Sequence, residues 1–120
     1  MYNINNIQID KYFNLNEFQC PCCKRVMIHP DLLNNLIILR KIINEPIYIN
    51  SGYRCKNYND QVGGVSKSYH TFGMAADIHA RTVLIPHLAI HAQQAGFKGI
   101  GVYKTFIHVD VRSSSYKWEG

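Results

Sequence analysis

Seven residues near the C-terminus, Phe106-Ile107-His108-Val109-Asp110-Val111-Arg112, constrain the fold more than any other stretch of this chain. They alternate as a β-strand does, with successive side chains on opposite faces. Ile107, Val109 and Val111 share one face, and His108, Asp110 and Arg112 share the other. The apolar face demands a core. The opposite face, with a histidine, a carboxylate and a guanidinium in a row, must be solvated or line a site.

A second stretch has the same character. Residues 74–79 read as a strand, with Ala75, Asp77 and His79 on one face and Ala76 and Ile78 on the other. Between His70 and Asp77 the chain is small and apolar, Thr71-Phe72-Gly73-Met74-Ala75-Ala76. A carboxylate in such a run is costly to bury unless it is paired or bound to a metal. His70, Asp77 and His108 match the three-ligand pattern of catalytic zinc, which leaves the fourth position for water. Residue types alone do not settle the matter, because two histidines and an aspartate also occur together by chance.

The remaining segments supply the frame. Leu32, Leu33, Leu36, Ile37, Leu39, Ile42 and Ile43 recur at helical spacing after His29-Pro30-Asp31, and Asn44-Glu45-Pro46 ends the helix. Residues 47–50 read as a short strand, and 56–62 as a short helix ended by Gly63-Gly64. Thr82 is the expected N-cap of a second long helix, with Pro86 in its first turn and Gly96 after it. Residues 97–103 and 105–112 are expected as adjacent strands. Residues 1–28 form a lead-in that contains a cysteine-bearing turn or hairpin at 20–28, and 113–120 form a surface tail. Two helices against a mostly antiparallel sheet give an α+β fold. A length of 120 residues fits one domain, 1–120.

Composition narrows the partners. Lys and Arg outnumber Asp and Glu 13 to 8, for a formal net charge of +5. These residues are scattered and form neither a basic arm nor a basic-aromatic surface, so no nucleic-acid partner is expected. No apolar run approaches the ~18 residues that a membrane span needs. The N-terminus lacks the basic and apolar regions of a secretory signal, so synthesis in the cytoplasm is expected, as a monomer. Cys20, Cys22 and Cys23 are cramped and Cys55 is distant, unlike the paired ligands of closed zinc sites. They are expected as small buried residues, with a structural second zinc or a Cys55 pairing after release as the alternatives. His87 and His91 have zincin spacing, but Leu88 stands where the glutamate would be. Together with His29 and His79 they are read as surface or satisfied core histidines, His79 alone sharing the Asp77 face.

Several motifs in order carry a resemblance. Ser51-Gly52-Tyr53-Arg54, Val62-Gly63-Gly64, Ser68-Tyr69-His70, Gly73, Ala75-Ala76-Asp77-Ile78, Gly99-Ile100-Gly101-Val102-Tyr103 and the 106–112 strand resemble the zinc D-Ala-D-Ala carboxypeptidase family. These metallopeptidases are related in fold to the D,D-dipeptidases and the hedgehog signalling domain. The motifs lie within 47–112, and Phe13-Asn14-Leu15-Asn16-Glu17-Phe18-Gln19-Cys20 with the first helix is similar to the family's N-terminal part.

The resemblance implies a small antiparallel sheet with helices packed on it. It implies zinc held by His70, Asp77 and His108, Arg54 facing the substrate, and Ser68 as a substrate contact. Several relatives carry an acidic residue three before the last ligand. Thr105 stands there in this chain, so Asp110 is the expected base, taking a proton from the attacking water. Arg54 would stabilise negative charge or anchor a carboxylate. Gly99 and Gly101 would let a peptide approach the strand backbone. The implied activity is hydrolysis of peptidoglycan stem or cross-link peptides, as a D,D-carboxypeptidase or endopeptidase. A phage-type endolysin released onto the cell wall by another agent would fit. The alternative is a non-catalytic zinc-containing binding module of hedgehog-like fold, favoured if Asp110 fails to reach the metal's water.

Overall fold

The structure is a computed structural model that describes residues 4–120, so the first three residues of the expected lead-in and of the expected domain 1–120 lie outside the described residues. Helix α1 spans Pro30–Ile43. His29 caps it, its Nδ1 accepting the Asp31 amide at 3.0 Å, and Pro30 occupies a first-turn position that needs no amide partner. Asn44 closes α1 in the left-handed region at φ 53°. Leu32, Leu36 and Leu39 form its buried stripe.

Strand β1 (Ile47–Ser51), helix α2 (Lys56–Gln61) and strand β2 (Ala75–Ala80) follow. Helix α3 (Ile85–Gln94) starts later than Thr82 capping would place it, with Leu84 as N-cap and no side-chain cap. Capping by Thr82 would put Pro86 where the first intrahelical amide bond is made, and proline has no amide hydrogen to give. Thr82 instead donates its amide to Glu45 Oε1 at 2.9 Å and its hydroxyl to Glu45 Oε2.

Strands β3 (Gly99–Val102), β4 (Ile107–Asp110) and β5 (Tyr116–Glu119) complete a five-stranded sheet of order β1-β2-β4-β3-β5. All neighbours are antiparallel except β3 and β5, which run parallel. The architecture is α+β, as expected, but the sheet is mixed. The tail is more than surface, because its last residues form an edge strand, pinned by Tyr116 N to Lys98 O at 2.9 Å and Gly120 N to Val102 O at 2.8 Å. Four residues, three of them exposed, leave too little apolar alternation for that strand to be legible locally.

Helix α3 packs on β3 and β4, and α1 packs on α3. Leu36, Leu39, Leu88, Ala92, Ile78, Ile107 and Val109 join in one core on that side of the sheet. The side chains that alternate with them project from the other side. Register places Asp77 beside His108 and Ala75 beside Asp110 across β2 and β4. The cysteines are not four core residues: Cys20 is buried, Cys23 and Cys55 are half-buried, and Cys22 is exposed. No helix among the described residues is long and apolar enough to cross a membrane.

Candidate metal centre

Each of the three expected ligands reaches the same point by a different local device. His70 sits in a short 3-10 turn, Tyr69–Phe72, whose N-cap is Ser68, with Ser68 Oγ accepting the His70 amide at 3.2 Å. Asp77 and His108 are register partners on adjacent strands. All three are buried, His70 2%, Asp77 7% and His108 9% exposed. Asp77 Oδ1 lies 3.1 Å from His70 Nε2 and 3.2 Å from His108 Nδ1.

The opposite ring nitrogens are already committed. His70 Nδ1 donates to the Gly52 carbonyl at 2.8 Å, and His108 Nε2 donates to Asp110 Oδ2 at 2.7 Å. Those bonds leave His70 Nε2 and His108 Nδ1 as the nitrogens that face Asp77. A histidine whose far N–H is held by a carbonyl or carboxylate is the usual arrangement behind a metal ligand. Ligands at ~2.0–2.1 Å in a tetrahedron sit ~3.3 Å apart, which the two separations approach. The donor set of two imidazoles and one carboxylate therefore fits zinc, by chemistry and by spacing.

Burial pushes the Asp77 carboxyl up, but hydrogen bonds from His108 and His70 more than reverse this and hold it well below the usual carboxylate range. Burial pulls His108 down, and its bonds to Asp110 and Asp77 push it above the usual imidazole value. The site thus sets a carboxylate between two imidazole nitrogens, and a cation would take the place of the protons they share.

Arg54 leaves β1 through the Gly52-Tyr53 turn. Its Nη2 pairs with Asp77 Oδ2 at 3.0 Å, its Nε donates to Ser51 Oγ at 3.0 Å, and its Nη1 donates to Asn59 Oδ1 at 3.3 Å. Arg54, His70, Asp77 and His108 line a cavity of about 670 Å³. Part of its wall is aromatic. Tyr103 stacks on Phe106 at 4.6 Å, and Trp118 leans on His108 at 5.0 Å while donating its Nε1 hydrogen to the Tyr103 hydroxyl at 2.9 Å. Lys67 and Ser68 also line the cavity.

Asp110 is the expected base. It shares the strand face of His108 but is 0% exposed and does not line the cavity. One oxygen takes the His108 ring proton, and Arg112 donates to both, from Nε at 2.8 Å and Nη2 at 2.6 Å. Burial pushes this carboxyl up, and the bonds from Arg112 and His108 bring it below the usual range. Among the described residues, Asp77 is the only carboxylate on the cavity wall.

Nor do Gly99 and Gly101 leave an open path for peptide. A Cβ on Gly99 would lie 2.0 Å from Asp110 Oδ1, and one on Gly101 would lie 2.4 Å from the Trp118 ring. Both glycines make room for this chain's own side chains. Gly101→Ala is therefore expected to lose about 1–3 kcal/mol of stability by displacing Trp118. Denaturant unfolding followed by tryptophan fluorescence checks this, since Trp118 is the chain's one tryptophan. An unchanged midpoint would contradict it.

His79 turns away from the centre, with its Nδ1 at 2.6 Å from Asn50 Oδ1 and its ring stacked on Tyr48. His87 is exposed, and His91 bonds Gln94 at 3.0 Å. Sequence reasoning missed the Tyr116 and Trp118 wall. The single tryptophan and its period-two relation to Tyr116 were the available signals.

Comparison with known proteins agrees with the geometry. A family model described as peptidase M15 matches residues 11–110. The peptidoglycan L,D-endopeptidase MepK of Escherichia coli (strain K12) is 30% identical over 92 residues, covering 69% of this chain and 50% of the relative. The zinc D-Ala-D-Ala carboxypeptidase of Streptomyces albus G is 40% identical over 57 residues, covering 48% of this chain and 22% of the relative. The chain thus spans half or less of the length of these curated relatives.

Proposed function

Because this chain belongs to the peptidase M15 family, we propose that it is a zinc-dependent peptidase acting on stem or cross-link peptides of peptidoglycan. In this reading residues 1–120 are one domain and work as a monomer at the cell wall after release. The observation that carries the proposal is the convergence of His70 Nε2, Asp77 Oδ1 and His108 Nδ1 on the floor of a cavity that Arg54 also enters.

His70, Asp77 and His108 would hold zinc, which would supply polarisation of a peptide carbonyl and activation of water near neutral pH. The chain's own residues do the rest. Arg54 spends three of its five N–H groups on Ser51, Asn59 and Asp77. In this reading the others bind a carboxylate or carbonyl oxygen of the peptide, which a guanidinium fork suits. Lys67 adds a second cation at the rim, and stem peptides carry carboxylates. The Tyr103, Phe106 and Trp118 wall offers apolar surface to short aliphatic side chains and excludes water from them. Ser68 lines the cavity as a substrate contact, since a hydroxyl that accepts the His70 amide can still donate its own hydrogen. Asp110 acts as a positioning residue: it holds the His108 ring so that Nδ1 points inward.

Mass analysis of purified peptidoglycan fragments tests the proposal. Zinc-loaded protein is expected to shorten them, and a chelator to stop it. Released D-alanine marks a carboxypeptidase, and split cross-links mark an endopeptidase. One observation favours the second reading, a non-catalytic zinc-containing module: Asp110 lies outside the cavity. Unchanged fragments in the presence of fully loaded protein would overturn the peptidase and leave that module.

A further inference from the structure

A second cluster of ligating side chains lies outside this centre. The sulfurs of Cys20, Cys22, Cys23 and Cys55 all lie within 4.8 Å of one another. We propose that these four thiolates form a closed structural site for a second zinc ion, which staples the N-terminal turn to the segment presenting Arg54.

The separations carry the argument. Cys20 Sγ and Cys22 Sγ are 3.6 Å apart, and Cys22 Sγ and Cys55 Sγ are 3.3 Å apart. A sulfur–sulfur bond is ~2.05 Å, so these are not disulfide contacts. Four sulfurs at ~2.3 Å from one zinc stand ~3.8 Å from each other, close to the spacing found here. Four protein ligands leave no vacant corner, which marks a structural site rather than a catalytic one.

The backbone is shaped for thiolates. The Cys55 amide donates to Cys20 Sγ at 3.5 Å, and the Tyr58 amide donates to Cys55 Sγ at 3.4 Å.

The turn itself is over-determined. Cys20 N donates to Arg25 O at 2.8 Å and Lys24 N donates to Cys20 O at 2.9 Å. Lys24 is held in the left-handed region at φ 63°, which a side chain of this kind seldom adopts. The nearly buried Asn5 amide donates to the Lys24 carbonyl at 2.6 Å. Cys55 is the N-cap of α2 and follows Arg54 directly. A metal here would tie Arg54's neighbour to the lead-in, independently of whether the chain cleaves peptide.

The full chain, prepared metal-free under reductant and titrated with Co2+ and separately with Zn2+, tests the site. Two equivalents of metal are expected, with intense thiolate-to-cobalt charge-transfer bands in the near ultraviolet. His108→Ala should keep those bands and lose one equivalent. Cys22→Ser should weaken or abolish them, lose the other equivalent and lower Tm. Cobalt binding to the unmodified chain without thiolate bands would overturn the proposal, and that readout needs no variant to fold. A single zinc per chain that disappears in His108→Ala would overturn it as well.

Discussion

His108→Ala is expected to empty the three-ligand centre and reduce peptide hydrolysis to background. His108 supplies one of three protein ligands, and its Nδ1 stands 3.2 Å from Asp77 Oδ1. Loss of a group that merely supports a ligand costs roughly 10–100-fold in metal affinity, and loss of the ligand itself should cost more than that. The fold should survive, because the apolar partners Ile107 and Val109 are untouched and Arg112 still neutralises Asp110. Zinc competition against a chromogenic chelator, read beside fragment mass analysis, provides the check. The cysteine cluster keeps its own equivalent, so the expected change is one ion fewer. A variant with wild-type zinc content and normal cleavage would eliminate the centre.

Asp110→Ala should have a double effect. The substitution removes the acceptor that fixes the His108 ring, so zinc affinity at the three-ligand centre should fall roughly 10–100-fold. It also strips Arg112 of its partner. Breaking a buried ion pair costs roughly 3–5 kcal/mol. Arg112 is 19% exposed and its guanidinium lies over Tyr69 and Trp118, so the lower end, about 3 kcal/mol, is expected. Denaturant midpoints give the stability, and metal competition gives the affinity. Unchanged affinity and stability with turnover lost would return Asp110 to the role of proton acceptor.

The two aspartates show how far local pattern carries. Asp77 and Asp110 each share a strand face with a histidine or its partner, and alternation placed both correctly on the side away from the core. Alternation says nothing about what covers that side. At Asp77 the covering is a cavity and Arg54. At Asp110 it is Arg112 on one flank and the bare backbone of Gly99 on the other, with room for no substrate. Asp110 therefore accepts from His108 and Arg112, contacts that alternation does not reveal.

The cysteines fail for a related reason. Judged by spacing, Cys20, Cys22 and Cys23 are too close together and Cys55 is too far away. Folding brings Cys55 back because the turn after β1 passes beside the lead-in, where Tyr53 N donates to Phe18 O at 2.8 Å. Spacing rules describe two short pairs of ligands, whereas here one turn brings three sulfurs and a distant segment brings the fourth.

Periodicity and punctuation in the chain establish the helices, the inner strands, the apolar stripe of each and the three residue types able to grip a cation, since these depend on neighbours a few positions away. Burial of Asp110, the aromatic wall brought in by β5 and the meeting of four sulfurs arise from strand order and loop closure, which set contacts between residues tens of positions apart. Such contacts leave no local trace, because the free energy that selects them belongs to the assembled sheet and core.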